Sequence, residues 1–508
     1  MLPTSFFLLP AVRRGEWVDS VNRFGPELIL LSAAGVIILA DIGWALAGPR
    51  AEGARRGVLA ALALAGAAAS IGWSALLIAF DERGEAFDGM MTVDDFSLFF
   101  NFLFAGIVVI VVLSSIDFLR ESRFVAEYYG LVLASAAGMM LLASTIDLIA
   151  IFVALEMTSI SLYILVAFLK DGRSSEAGLK YLLLGAISSA VTLYGMAFLF
   201  GLSGSTSLDE IASAVRSADG DTRSALVLAA VFLIAGFGFK MAIVPFQMWV
   251  PDVYEGAPTP VTAYLSVGSK AAGFAVVMRV FLSALGDGSI SSDWANVFAA
   301  LAAVSMSLGN LTALMQGNIK RMLGYSSIAQ AGNFLIGLAA VAAADPQLLL
   351  GTSSVIFFLG TYAFTNLGAF IAVIAISNKI GSDEIADYAG VARRSPLLAL
   401  GLTLCLVSLT GIPPTAGFIA KVYVFNAAVQ ANLVWLAVVG VLNSVVAAYY
   451  YLRVVMNMYT AEPASEERIQ PGYYLGLAMV VAVVGLLAVG IFPSPLLEAS
   501  EAAAGVFG

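Results

Sequence analysis

The sequence has no histidine and a single cysteine, Cys405. Without histidine the chain lacks the usual ligand of haem and zinc, and the one side chain that titrates near neutral pH unaided. One cysteine excludes a disulfide framework and any iron–sulfur cluster held by this chain alone. Proton chemistry, if present, must use Lys, Glu, Asp, Tyr or water. Charge is scarce too. Only 12% of the 508 residues are charged and 60% are hydrophobic, whereas soluble domains carry about 25% charged residues. With a mean hydropathy of +0.94, the chain reads as an all-α, polytopic membrane protein. Its net charge of −10 argues against a nucleic-acid partner, which would want a basic patch.

What is there is a series of apolar runs of spanning length, about 20 residues each. Fourteen occur, at about 28–47, 58–80, 96–116, 128–144, 147–168, 178–202, 224–244, 259–282, 294–315, 322–343, 348–377, 396–427, 433–457 and 473–495. The longest connections, 81–95, 203–223 and 378–395, are too short for a separate domain, so one membrane domain over 1–508 is expected. The opening "MLPTSFFLLPAVRRGEW" has an apolar run broken by Pro10 and no small-residue cleavage site, and is not read as a cleaved signal.

Basic residues set the orientation. Alternate loops hold Arg50, Arg55, Arg56, Arg120, Arg123, Lys170, Arg173, Lys320, Arg321, Lys379, Arg393, Arg394 and Arg468, thirteen in all, and the other loops only three: Arg83, Arg216 and Arg223. The first set is expected in the cytoplasm, with both termini outside. Arg13, Arg14 and Arg23 run against that bias.

Several charges lie where lipid should exclude them. A lysine at the bilayer centre costs about 2.5–3.5 kcal/mol. Four of the seven lysines, Lys180, Lys240, Lys270 and Lys421, fall within or at the edge of apolar runs, and Glu156 stands well inside the fifth. Polar residues share helix faces with them: Thr262, Ser266 and Lys270; Glu156, Ser159 and Tyr163; Ser326, Gln330 and Asn333. Interhelical hydrogen bonding explains any one stripe; three together favour a wet path through the bundle. "GFGFK" at 236–240 and "GFIAK" at 417–421 form a weak internal repeat, and both carry nearby prolines, Pro245 in one and Pro413 and Pro414 in the other. Proline denies a hydrogen bond to the carbonyl four residues earlier, which leaves Met241, Leu409 and Thr410 with free carbonyls. Interrupted helices in matching places point to a transport site. Burial disfavours a charged lysine and a nearby carboxylate favours it, so the charge on Lys240 is expected to depend on where Glu156 stands.

The stretch "VPFQMWVPDVYEGAPTPVTAYLSVGSKAAGFAVVMR" resembles the antiporter-like membrane subunits of proton-pumping NADH–quinone oxidoreductase, respiratory complex I, and "PDVYEGAPTPV" its N-type subunit. "SSEAGLKYLLLGAISSAVTLYG" (174–195), "GNIKRMLGYSSIAQAG" (317–332) and "LTGIPPTAGFIAKVYVF" (409–425) fit the same family, and the resemblance runs from about residue 90 to 460. It implies about fourteen helices with two inverted five-helix repeats, helices 4–8 in 128–282 and 9–13 in 294–457, around broken helices 7 and 12. Helices 1–3 lie in 28–116 and a last helix in 473–495. By motif, the resemblance maps an ion pair onto Glu156 and Lys240, a sixth-helix lysine onto Lys180, a central lysine onto Lys270 and a distal one onto Lys421. Ser266, Gln247, Gln330, Pro245 and Pro413 are supporting residues. It also implies NADH, FMN, iron–sulfur clusters and quinone in partner subunits, with no cofactor or metal held here. The partners implied are the M and L subunits, small subunits such as K and J, and membrane lipids, in a bacterial plasma membrane.

Where the family commonly has histidine in "PFH" and "SIAH", this chain has Gln247 and Gln330. Glutamine orients water but carries no proton near pH 7, so lysine–water transfer replaces a histidine relay. Three other readings stay open: an independent cation–proton antiporter, the same subunit in a ferredoxin-fed complex, and a passive scaffold. Asp41, Asp147 and the acidic "DVYEG" loop with Asp252 and Glu255 receive no assigned role.

Overall fold

The computed structural model describes residues 14–47, 52–218, 220–286, 290–341, 348–463 and 465–508; Pro10, Arg13 and Arg50 of the sequence reading lie outside them. The chain begins with α1 (Arg14–Arg23), α2 (Gly25–Ala47) and α3 (Glu52–Ala79), then a small antiparallel hairpin of β1 (Gly84–Ala86) and β2 (Met91–Val93). Next come α4 (Asp95–Ser115), α5 (Val125–Ser144), α6 (Leu148–Val166), α7 (Gly172–Ser203), α8 (Leu208–Arg216), α9 (Gly220–Met241), α10 (Val250–Gly256), α11 (Thr259–Tyr264) and α12 (Lys270–Ser283). The second half has α13 (Ser291–Ala313), α14 (Ile319–Val341), α15 (Leu348–Ile380), α16 (Val391–Arg394), α17 (Pro396–Thr410), α18 (Ala416–Gln430), α19 (Val434–Thr460), α20 (Tyr473–Ile491) and α21 (Ser494–Ala504).

Among the described residues, twelve helices are long and apolar enough to cross a membrane. Of the fourteen expected runs, the tenth and twelfth are not among them, and each has a physical reason. The tenth is α14, whose 23 residues are long enough but carry Lys320, Arg321 and the polar stripe. Every residue of α14 except Arg321 and Tyr325 is buried in protein, so lipid does not set its composition. The twelfth, expected over 396–427 as a broken helix, is interrupted between α17 and α18, where Gly411 adopts a φ of 89° that favours glycine.

Helix starts are written in the sequence. Asp94 caps α4 in a reciprocal box with Ser97, Asp147 caps α6 through Ile149 and Ala150, and Asp171 caps α7 through Ser174. Asp147 also accepts from Thr206 Oγ1 at 2.5 Å, which gives it a structural role. Asp41 pairs with Arg55 at 2.5 Å, tying α2 to α3. Burial grades from rim to centre. The apolar window of α2 is 17% buried, whereas those of Thr259–Ser283 and of α15 are 94% buried. The buried charges lie in and beside this central layer.

Candidate functional site

Lys240 occupies the last turn of α9. The helix stops at Met241, the chain passes Ala242 at a φ of 60° and Pro245, and α10 begins at Val250. Trp249 Nε1 donates to the Phe239 carbonyl at 3.0 Å, and Val244 N donates to Ser305 Oγ at 3.0 Å, so the interrupted backbone is held by side chains from its surroundings. Lys240 is only 6% exposed, and its Nζ has no hydrogen-bond partner among the described residues. The pair expected from the sequence is not in contact. Glu156 Oε1 instead accepts from Ser189 Oγ on α7 at 2.5 Å and acts on Lys240 only at longer range. Ser159, Tyr163, Ser188, Thr192 and Lys240 line a narrow cleft between α6, α7 and α9. Lys240 thus faces a polar cleft that also holds Ser189, the hydroxyl on which the Glu156 carboxylate rests.

Lys270 stands on the neighbouring helix. A Cβ on Gly273 would lie 3.0 Å from the Lys240 carbonyl carbon; glycine permits that approach. A π turn over Leu265–Ser269 separates α11 from α12, the kind of local widening common at functional sites. It ends at Lys270, which is 2% exposed and donates to the Ser327 carbonyl and, at 2.5 Å, to Ser327 Oγ on α14. Ser327 Oγ also meets Tyr254 at 3.3 Å and Tyr362 at 3.1 Å. One turn earlier, Ser266 accepts from Asn366 of α15 at 2.6 Å.

From Ser327 the polar contacts continue along α14. Gln330 Nε2 donates to the Leu409 carbonyl at 3.0 Å, and Asn333 donates to Gln330 Oε1 at 3.0 Å. The adjacent Thr410 carbonyl accepts from Lys421 Nζ at 2.9 Å. These two carbonyls are the ones that Pro413 and Pro414 deprive of helical donors. Lys421, 5% exposed, also donates to Ser444 at 3.1 Å. Ser326, beside Ser327, bonds Tyr451. The five-residue pattern shared by the two lysine segments does not mark equivalent places: Lys240 precedes its break, whereas Lys421 follows its own.

Lys180 is placed differently from the other three. Its side chain is 42% exposed and pairs with Glu176 and Asp252, each at 2.8 Å. Arg321 joins Asp252 at 2.8 Å and Glu255 at 3.0 Å. Partial burial pushes the Asp252 carboxyl up, but hydrogen bonds from Lys180 and Arg321 hold it below the usual carboxylate range. The "DVYEG" acids therefore form a neutralised rim on α10. Lys320, counted in the sequence as a loop cation, is 4% exposed and donates to the carbonyls of Glu255 and Ala257 at 3.0 and 2.8 Å, closing the C-terminal end of α10. Pro245 is exposed, and half-buried Gln247 leaves its Oε1 unpartnered.

Sequence reasoning missed Ser327, Tyr254, Tyr362 and Asn366, whose residue types are ordinary in any helix and whose partners lie far along the chain. It also missed Arg279. This arginine is 2% exposed, pairs with Asp94 at 2.7 Å, donates to the Ala143 carbonyl at 2.6 Å and stacks against Phe96 and Phe507. A cation within an apolar run was the available signal.

Residues 144–447 match the family described as NADH:quinone oxidoreductase/Mrp antiporter, transmembrane. The chain is 43% identical over 490 residues to NADH-quinone oxidoreductase subunit N of Dehalococcoides mccartyi, covering 95% of this chain and 99% of the relative. A chain of respiratory complex I from Thermus thermophilus, solved with bound aureothin, superposes with a TM-score of 0.75 at 33% identity, covering 92% of this chain and 98% of that one. The Mrp complex of Dietzia sp. shares the fold, with a TM-score of 0.76 at 21% identity over 96% of this chain and 97% of that one. Match and site fall together, since Glu156, Lys240, Lys270 and Lys421 all lie within the matched residues, and the chain belongs to the NADH:quinone oxidoreductase/Mrp antiporter family of transmembrane proteins, among the relatives named subunit N.

Proposed function

We propose that this chain carries protons across a bacterial plasma membrane as the N-type subunit of an NADH–quinone oxidoreductase. Glu156, Lys240, Lys270 and Lys421 take up and release the proton, and water and hydroxyls lie between them. The observation that carries this reading is the role of α14. Ser327 receives Lys270, Gln330 reaches the Leu409 carbonyl, and the next carbonyl receives Lys421. Two buried cations are thereby joined through one polar helix face, which a scaffold has no reason to maintain at the cost of desolvation.

The separation of Glu156 from Lys240 suits a gate. With the carboxylate on Ser189, Lys240 Nζ has no hydrogen-bond partner among the described residues, and movement of Glu156 between Ser189 and Lys240 would make and break the ion pair. Lys180 with its ion-paired rim forms the cytoplasmic mouth. Helices in 128–282 and 294–457 form two inverted repeats, each with a half-channel at its broken helix. The basic loops face the cytoplasm and both termini the outside. NADH oxidation, FMN, iron–sulfur clusters and quinone belong to partner subunits. Subunits M and L and small subunits such as K and J adjoin this one, and electron transfer reaches it laterally through buried charge.

Two experiments test this. Gentle extraction and a native gel should place the chain in a band of several hundred kilodaltons that reduces a dye with NADH. A band that takes only another donor would replace the input, and migration near 53.0 kDa would favour an independent antiporter. Lys240→Met should abolish proton uptake by reconstituted complex while preserving assembly, because it removes a buried charge that holds no hydrogen bond among the described residues. Unchanged uptake would return the chain to a scaffold.

A further inference from the structure

α17 and α20 begin at the same end of the bundle and part to leave an elongated groove of about 1000 Å3. That volume stands at the upper end of the ~300–1,000 Å3 of ligand pockets. Its walls are apolar, with Leu397, Leu400, Leu477 and Val480 on its open side. Gly476 helps to open it: the nearest atom to a Cβ there is Pro471 Cγ, 4.0 Å away.

The head of the groove is strongly positive. Arg393, Arg394 and Arg468 line it. Arg393 and Arg468 are exposed and form no ion pair among the described residues, while Arg394 is 9% exposed and donates through Nε to the Glu467 carbonyl at 2.8 Å. Of the acids nearby, the Glu467 carboxylate pairs with Lys379 and Asp117, beside Gly472, pairs with Arg120 at 2.7 Å, while Glu466 is exposed and forms no ion pair among the described residues. Both helix N-termini open here, and neither carries a side-chain cap. Uncapped helix N-termini present free N–H groups and the positive end of the helix dipole to an anion. Tyr473, 79% exposed, stands at the same level, where aromatic rings favour the headgroup region.

We propose that this groove is a binding site for an anionic phospholipid. Arg393, Arg468 and the two helix N-termini hold the phosphate, and an acyl chain lies along Leu397, Leu400, Leu477 and Val480. Basic pockets between spanning helices, on the face with the basic loops, suit such headgroups, and the apolar wall below excludes a free phosphate as the natural occupant. The proposal does not depend on the proton path, whose residues line none of the groove.

The test uses the intact complex, reconstituted with a phosphatidylglycerol that bears a photoreactive acyl chain. Labelled peptides are then mapped by mass spectrometry. Label should appear on α17 and α20, and unlabelled cardiolipin or phosphatidylglycerol should compete where phosphatidylcholine and inorganic phosphate do not. Each arginine should contribute roughly fivefold, so Arg393→Gln with Arg468→Gln should weaken labelling on the order of twentyfold, and the double lysine variant should retain most of it. Gly476→Phe should reduce labelling with every charge in place. Proton uptake by the double glutamine variant should keep its Lys270 dependence, which separates this result from the pumping reading. Equal competition by phosphatidylcholine, or undiminished labelling of the double glutamine variant, would overturn the proposal. So would a cross-link from Leu477 to a partner subunit's helix in place of lipid. If Gly476→Phe fails to assemble on a native gel, the arginine variants decide alone.

Discussion

Replacing Lys270 and Gln330 by alanine, one at a time, should separate a group that carries the proton from one that orients its path. Both are buried, at 2% and 3% exposed, and both hold a backbone carbonyl. Only lysine can take up and release a proton. Gln330 contributes one bond between the two lysines, to the Leu409 carbonyl at 3.0 Å. Such a bond is worth a net ~0.5–1.5 kcal/mol. If all of that falls on the transfer barrier, Gln330→Ala slows translocation about 2- to 12-fold, at ~1.4 kcal/mol per factor of ten. Loss of a positioned acid–base group costs about 10²–10⁴-fold, so Lys270→Ala should leave almost no pumping. Local structure should survive, because Ser327 keeps Tyr254 and Tyr362. The assay is NADH-driven proton uptake by vesicles of reconstituted complex, with NADH oxidation under an uncoupler as the check on assembly. Equal and negligible losses in the two variants would refute the reasoning, as would a Gln330 variant as impaired as the Lys270 one.

Arg279→Met should cost about 3–5 kcal/mol of stability, because it takes the guanidinium from the Ala143 carbonyl and from Asp94, which keeps the Ser97 N–H; a melting temperature equal to the parent's would reject the clamp. Gly417→Ala should destabilise the second break by roughly 1–3 kcal/mol, since its Cβ would lie 2.0 Å from the Ser408 carbonyl oxygen. The readout is thermal inactivation of the complex, and an unchanged midpoint counts against the tight packing of α17 on α18. For Asp252 the carboxyl is held below its ordinary value, so its stabilising effect is fully present above that value and is lost as pH falls through the folded one. The melting difference between parent and Asp252→Asn should hold from neutral pH down to about pH 4 and shrink below it. A difference that has vanished by about pH 6 would contradict the ion-pair reading.

The spans were legible because a lipid-facing helix must be apolar for a fixed length. That rule placed α2 to α7, α9 and α20 closely, and the run at about 322–343 located α14 as well, although α14 faces protein on nearly every side. Within the site, Lys240, Lys270 and Lys421 stood out because a buried charge is costly whatever surrounds it. Lys180 and Lys320 exchanged character in the fold: the lysine in the apolar run is half-exposed and ion-paired, while the loop lysine is buried. Lys320 stands in the first turn of α14 and Lys180 about two turns into α7, so the face each turns toward its neighbours decides between rim and core.

The free carbonyls of Leu409 and Thr410 were expected from Pro413 and Pro414, which lack an N–H, and in the fold they are also the last two of α17, which ends before Gly411. Which side chains satisfy them depends on how α14 and α18 pack. The bond from Lys270 to Ser327 spans 57 residues and that from Gln330 to Leu409 spans 79. Likewise, composition dictated that any proton must ride on lysine, carboxylate, tyrosine or water in a chain without histidine. Only the tertiary structure turned Glu156 toward Ser189 and left Lys240 unpaired, because the cost of a buried charge is local to a residue, whereas its partner is chosen by the rotation and approach of helices distant in sequence.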